Sequence, residues 1–144
     1  MRSADGKHSF LTAVLVLSAL LTTLTSCGGG PPISPEYLNR PPEAVSVFIT
    51  YDAGQKSAVM SNKWVILRGG KDSIQWISPD GAVSVDFGNA NPFDGPPVFD
   101  ERRKLLKSAT ARRVTAKAVV EYKASLRLPD GTVVEVDPRV EIWP

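Results

Sequence analysis

Between residues 43 and 144, apolar side chains recur mostly at every second position, the period of a strand with one dry face. The clearest stretch is Ser73 to Phe93. Ile74 and Trp76 share one face of its first run, Val83, Val85 and Phe87 one face of its second, and Ser73, Gln75, Ser84 and Asp86 the opposite faces. Pro79-Asp80-Gly81 between the runs suits a type I turn with its glycine in the left-handed region, which predicts a β-hairpin. A hairpin with one wet and one dry face must bury the dry face against a second layer.

The same pattern extends to both sides. Val45, Val47 and Ile49 predict a first strand, Asp52 to Gln55 a turn, and Trp64 to Leu67 a buried strand stopped by Gly69-Gly70. Asn89 to Pro97 reads as a long loop. Phe99 to Ser108 predicts the one short helix, with Phe99, Leu105 and Leu106 set among cations. From Val114 to Leu128 the alternation predicts one long strand, or two parted by a bulge, with Ala118, Val120, Tyr122, Ala124 and Leu126 on the dry side. Pro129-Asp130-Gly131 repeats the hairpin turn. Val134, Val136, Val140 and Ile142 complete the dry face around Asp137-Pro138. About seven short strands with turn signals between them describe an all-β sandwich.

The composition fits one small globular domain: 144 residues, 42% hydrophobic, 22% charged, net charge +2, a balance that singles out no partner. The first part of the chain is different. Arg2 and Lys7 precede the uncharged run Phe10 to Thr25, too short to span a bilayer and patterned like an export signal. Leu24-Thr25-Ser26-Cys27, followed by Gly28 to Gly30, resembles the lipobox of bacterial lipoproteins. That resemblance implies cleavage between Ser26 and Cys27 and a lipid on the Cys27 sulfur. The anchor would hold the protein at the outer membrane or the periplasmic face of the inner membrane. It also accounts for the single cysteine, which no internal disulfide can use. The division expected is a signal peptide over 1–26, a tether over 27–42 and a domain over 43–144. Three glycines and then Pro31-Pro32, Pro35 and Pro41-Pro42 predict a flexible start and an extended spacer, roughly 40 Å in reach. Within it, Tyr37-Leu38 is a candidate for docking on the domain.

Several short pieces together resemble the cupredoxins, the Greek-key, Ig-like sandwich of small blue copper proteins. They are Lys71-Asp72-Ser73-Ile74-Gln75-Trp76, Ala82-Val83-Ser84-Val85-Asp86-Phe87, Tyr122-Lys123-Ala124 and Val140-Glu141-Ile142. The fold expected from the resemblance is a cupredoxin-like sandwich. Its chemistry does not transfer. Blue copper needs two imidazoles and a thiolate, whereas Val83 stands at the upstream histidine position and Ala124 at the cysteine position. Met60 falls outside the expected metal loop, and the only histidine, His8, precedes the expected cleavage point. The same lack excludes Ser-His and Cys-His catalysis in the cleaved chain. No cofactor and no metal site are expected.

Two groups of charge remain. Asp80, Asp86, Asp94 and Asp100 cluster in sequence around the long loop and read as turn and surface residues rather than acid/base or calcium ligands. Between residues 101 and 128, nine Lys or Arg stand against two Glu. Of these, Arg102, Arg103, Lys104, Lys107, Arg112 and Arg113 are the candidate anion-binding residues, for lipid, lipopolysaccharide or wall polymer. The alternative is a solvated face paired with the protein's own acids. Nucleic acid is excluded by compartment and by the absence of interleaved aromatics. Trp143 is placed near the C-terminus as a partner or glycan contact, or as the cover of a sheet edge. The function expected is a non-catalytic envelope module whose partners are the membrane, through its lipid, and an unidentified envelope protein or glycan.

Overall fold

The computed structural model describes residues 34–144. The expected signal peptide over 1–26, Ser26, Cys27 and the first part of the tether lie outside the described residues. A short helix, α1 (Pro35–Asn39), is followed by eleven strands: β1 (Ala44–Asp52), β2 (Ser57–Met60), β3 (Trp64–Arg68), β4 (Ser73–Ile77), β5 (Ala82–Asp86), β6 (Val98–Asp100), β7 (Leu105–Lys107), β8 (Ala118–Glu121), β9 (Lys123–Arg127), β10 (Val133–Val136) and β11 (Arg139–Trp143).

These strands form an all-β sandwich. One layer is a five-stranded sheet ordered β2-β1-β4-β7-β6, in which β1 and β4 run parallel. The other holds two three-stranded sheets, β10-β9-β5 and β3-β11-β8. These share one long ribbon. β8 passes into β9 through Tyr122, β10 passes into β11 through Asp137-Pro138, and the Tyr122 N–H donates to the Pro138 carbonyl at 3.0 Å. The break lets one half take β5 as its third strand and the other half β3. The expected run from Val114 to Leu128 is therefore two strands parted at Tyr122, and its dry face continues across the break, because Tyr122, Ala124 and Leu126 are all buried.

The alternating residues meet in one core. Val47, Ile49, Ile74 and Trp76 face Leu126, Val140 and Ile142 from the other layer, and each is almost fully buried. Trp76 sits in an aromatic cluster with Phe87, Phe93 and Tyr122, ring centroids 6.0 to 6.4 Å from its own. Its indole N–H donates to the Tyr122 hydroxyl at 3.0 Å, satisfying two buried polar groups with a single bond between layers.

Three expectations are corrected. Ser73 to Asp86 is not a hairpin: β4 pairs with β1 and β7, and β5 pairs with β9. The two runs form an arch whose dry faces look at each other across the core, with Trp76 and Phe87 6.2 Å apart. Alternation specifies a dry face but not whether the next strand pairs beside it or packs against it.

Phe99 to Ser108 is not a helix but the β6–β7 hairpin, registered Phe99 to Leu106 and Asp100 to Leu105. Cations, not apolar residues, stand three and four places after Phe99, so no apolar stripe exists for a helix to bury. The Asp100 carboxylate accepts from the N–H groups of Arg102 and Arg103, both at 3.0 Å, and closes the turn instead.

The one short helix lies in the expected spacer. Ser34 caps it, its hydroxyl accepting from the Tyr37 N–H at 3.3 Å, and Pro35 fills the first turn. Residues 34–42 are packed on the sandwich rather than extended from it, so the folded unit begins about ten residues before the expected boundary at 43.

Candidate functional site

β3 ends at Arg68, and Gly69-Gly70 turns the chain back so that Asp72 meets it. The turn requires both glycines. A Cβ on Gly69 would lie 2.7 Å from the Arg112 carbonyl oxygen, and Gly70 has φ +72° with the Arg113 side chain pressed onto it. The Lys71 and Asp72 N–H groups both donate to the Arg68 carbonyl, at 3.2 and 3.1 Å. Arg68 and Asp72 are each only 1% exposed.

Every polar atom of this pair has a partner. A guanidinium carries five N–H donors, and all five of Arg68's are used. Nε donates to Asp72 Oδ2 at 2.8 Å, and Nη2 donates to Asp72 Oδ1 and, at 2.6 Å, to the Pro41 carbonyl. Nη1 donates to the carbonyls of Tyr37, at 3.3 Å, and of Arg40. The Asp72 carboxylate also accepts from the N–H groups of Arg68, at 2.9 Å, and Glu43, at 3.0 Å. Burial alone would raise the Asp72 pKa, but these hydrogen bonds from Arg68 and Glu43 outweigh it and hold the carboxyl below its ordinary value.

Three of the five acceptors therefore belong to the leader, residues 37–41. Other contacts reinforce the grip. The Tyr37 hydroxyl donates to the Ile66 carbonyl at 2.7 Å, Arg40 lies 4.3 Å from the centre of the Tyr37 ring, and Lys71 Nζ donates to the Leu38 carbonyl at 3.2 Å. Burial first, and then the Asp72 charge, raise the Tyr37 phenol above its ordinary pKa. Tyr37 is thus docked. The clamp itself is not visible in the alternation of residues, because Arg68 falls on the face of β3 opposite the core residues Val65 and Leu67 and is buried there by the leader. Arg and Asp four apart around two glycines were the available signal.

The candidate anion-binding residues separate into three places. Arg102, Arg103 and Lys104 sit exposed on the β6–β7 turn, where Lys104 Nζ is 3.2 Å from Glu101 and Arg103 Nε 4.0 Å from Asp100. Lys107 points outward from β7 opposite Val98. Arg112 and Arg113 lie by the Gly69-Gly70 turn, with Arg112 Nε donating to the Phe93 carbonyl at 2.8 Å. Elsewhere in the basic stretch, Lys123 meets Glu135 at 3.1 Å and Lys117 meets Glu141 at 3.8 Å. Trp143, at the end of the central strand β11 and paired with Arg68 of β3, donates to Glu141 and has Lys117 5.6 Å from a ring centre.

The four aspartates are not gathered. Asp80 accepts from the Tyr51 N–H and Asp86 from the Gly88 N–H, both at 2.7 Å, Asp100 closes the β6–β7 turn, and Asp94 lies in the long loop. Among the described residues no cluster of His, Cys, Asp and Glu is arranged to hold a metal. Val83 and Ala124, at the positions that the cupredoxin resemblance would give to copper ligands, lie on the paired strands β5 and β9, opposite Leu126 and Val85. Neither side chain has a donor atom, so these residues do not fit copper. No protein-family model matches the chain, and neither a curated protein nor a solved structure matches it.

Proposed function

We propose that this chain is an exported bacterial lipoprotein whose cupredoxin-like sandwich, without copper, serves as a non-catalytic binding or scaffolding module. The observation that carries this reading is the Arg68 cage. Gathering three leader carbonyls around a buried guanidinium serves no catalytic end, but it does fix the path by which the chain enters the domain. With residues from 34 onward built in, residues 28–33 alone lie between Cys27 and the folded body. At about 3.5 Å per residue those few residues can reach on the order of 25 Å at most. The domain would therefore be presented close to the membrane, not at the end of a long spacer.

Mass spectrometry of the membrane fraction tests this. The expected N-terminal fragment begins at Cys27 and carries acyl chains. An unmodified Cys27 thiol, or an uncut signal, would remove the anchor. Adding copper to the protein is expected to give no intense blue thiolate band.

One further observation favours a second reading, a peripheral binder of anionic lipid or glycan. Arg102, Arg103 and Lys104 stand together on an exposed turn, where their charge would draw an anionic partner in a salt-sensitive manner.

A further inference from the structure

At the β6–β7 end the two layers part. β5 is paired on one side only, with β9, and β6 is the outer strand of the five-stranded sheet. Between them lies a cleft of about 220 Å³ whose apolar lining includes Val83, Phe99, Leu105 and Leu106, with the buried Trp76 behind them. Lys104 is the one charged residue lining it. Phe99 shares the inward row of Trp76 and Leu106, yet it remains 43% exposed, because nothing in the described chain closes the cleft over it.

The rim is as distinctive as the walls. Lys104 holds φ +52°, a left-handed conformation that a plain turn would give to glycine. Its ammonium is paired with Glu101 in an exposed contact of the kind that contributes little, so it is free to swing to a ligand. Arg102 and Arg103 precede it on the same turn. Apolar walls under a cationic rim match a molecule with an apolar chain and an anionic head.

We propose that this cleft binds the end of the alkyl chain of a free single-chain anionic amphiphile, such as a medium-chain fatty acid, with Lys104 on its carboxylate. This rests on the second reading above, in which the cationic turn meets an anionic partner, and it names the site and the ligand class. A methylene has about the volume of a water molecule, ~30 Å³, so the cleft holds on the order of seven carbons. A ten-carbon acid would fill it and leave its head at the rim. Each buried methylene adds binding, and space for about seven carbons admits one chain, not the pair of a doubly acylated phospholipid.

The test uses the full chain in its membrane and a photoreactive decanoic acid, with adducts located by mass spectrometry. Adducts are expected on the segments carrying Val83 and Phe99, suppressed by excess decanoate but not by acetate. Lys104→Gly, which removes the charge and relieves the backbone, should cut labelling roughly tenfold, the loss of one charge-assisted hydrogen bond. Val83→Phe, which fills the cleft, should abolish it. Adducts scattered over the body, or equal labelling of Lys104→Gly, would overturn the proposal, as would a photoreactive decanol that labels as well as the acid. Salt-sensitive adsorption to phosphatidylglycerol vesicles without cleft labelling would also overturn it, while leaving the cationic-turn reading in place. Loss of both would remove the two together.

Discussion

Arg68 and Asp72, four residues apart around a Gly-Gly turn, form a buried ion pair in which all five guanidinium donors and both carboxylate oxygens have partners. Burying an ion pair is not in itself stabilising, since desolvation offsets the attraction. What this pair adds is an attachment, because three of its acceptors are carbonyls of the leader. Removing one partner leaves the other charged and enclosed. Arg68→Met is accordingly expected to cost about 3–5 kcal/mol in denaturant unfolding. Arg68→Lys should restore little of it, since an ammonium has three donors where five are used.

Acid should loosen the same point. Asp72 has its folded pKa lowered, so the unfolded chain takes up its proton first as pH falls. Its contribution is complete above the unfolded carboxylate value, about 3.9, and is lost as pH drops through the lower folded value. Over that window this one group adds a slope of up to about 1.4 kcal/mol per pH unit. Unfolding curves between pH 5 and 2 should show this slope for the natural chain and a shallower one for Asp72→Asn.

Alkali should act through Tyr122, whose phenol burial pushes up to about 12, with the Trp76 indole N–H pulling the other way. A raised folded value means a contribution that is complete below the unfolded value, about 10, and lost as pH rises through the folded one. The natural chain should therefore lose roughly 2–3 kcal/mol between pH 10 and 12 that Tyr122→Phe does not lose. Equal alkaline slopes for the two proteins would contradict the burial of this hydroxyl.

The two Pro-Asp-Gly turns should respond differently to alanine. At Gly81 a Cβ would lie 2.1 Å from the Arg127 carbonyl oxygen, so Gly81→Ala must push β5 off β9, at about 1–3 kcal/mol. At Gly131 nothing lies near, but φ is +87°, so alanine meets only the backbone penalty of about 1–2 kcal/mol. Faster hydrogen exchange at the β5–β9 bonds should accompany the first change and not the second.

That contrast also shows how far the sequence could be read. The dry faces were legible: Ile74 with Trp76, Ala124 with Leu126, and Val140 with Ile142 are all buried as their alternation predicts. Pairing was legible at one turn and not at the other. Pro129-Asp130-Gly131 joins the antiparallel neighbours β9 and β10, while Pro79-Asp80-Gly81 carries the chain from one layer to the other. The tripeptide is the same; what differs is the long-range partner, since Asp80 is drawn to the Tyr51 N–H far away in sequence. The helix was misplaced for a related reason. Ser34-Pro35-Glu36 carries the cap, proline and first-turn acid of a helix start, but the prolines around it read as spacer. The Arg68 cage was not legible because three of its five acceptors are backbone carbonyls, which leave no mark in the residue pattern.

Hydrogen exchange at the Glu43 amide tests most directly whether the Arg68–Asp72 pair seats the chain where the leader enters the domain. Its N–H donates to Asp72 Oδ1 and its carbonyl accepts from Ser73, so it should exchange as slowly as the β1–β4 ladder, and Arg68→Met should speed it by orders of magnitude. Exchange at the rate of an open peptide in the natural chain would mean that the buried pair does not seat the chain where the leader enters the domain.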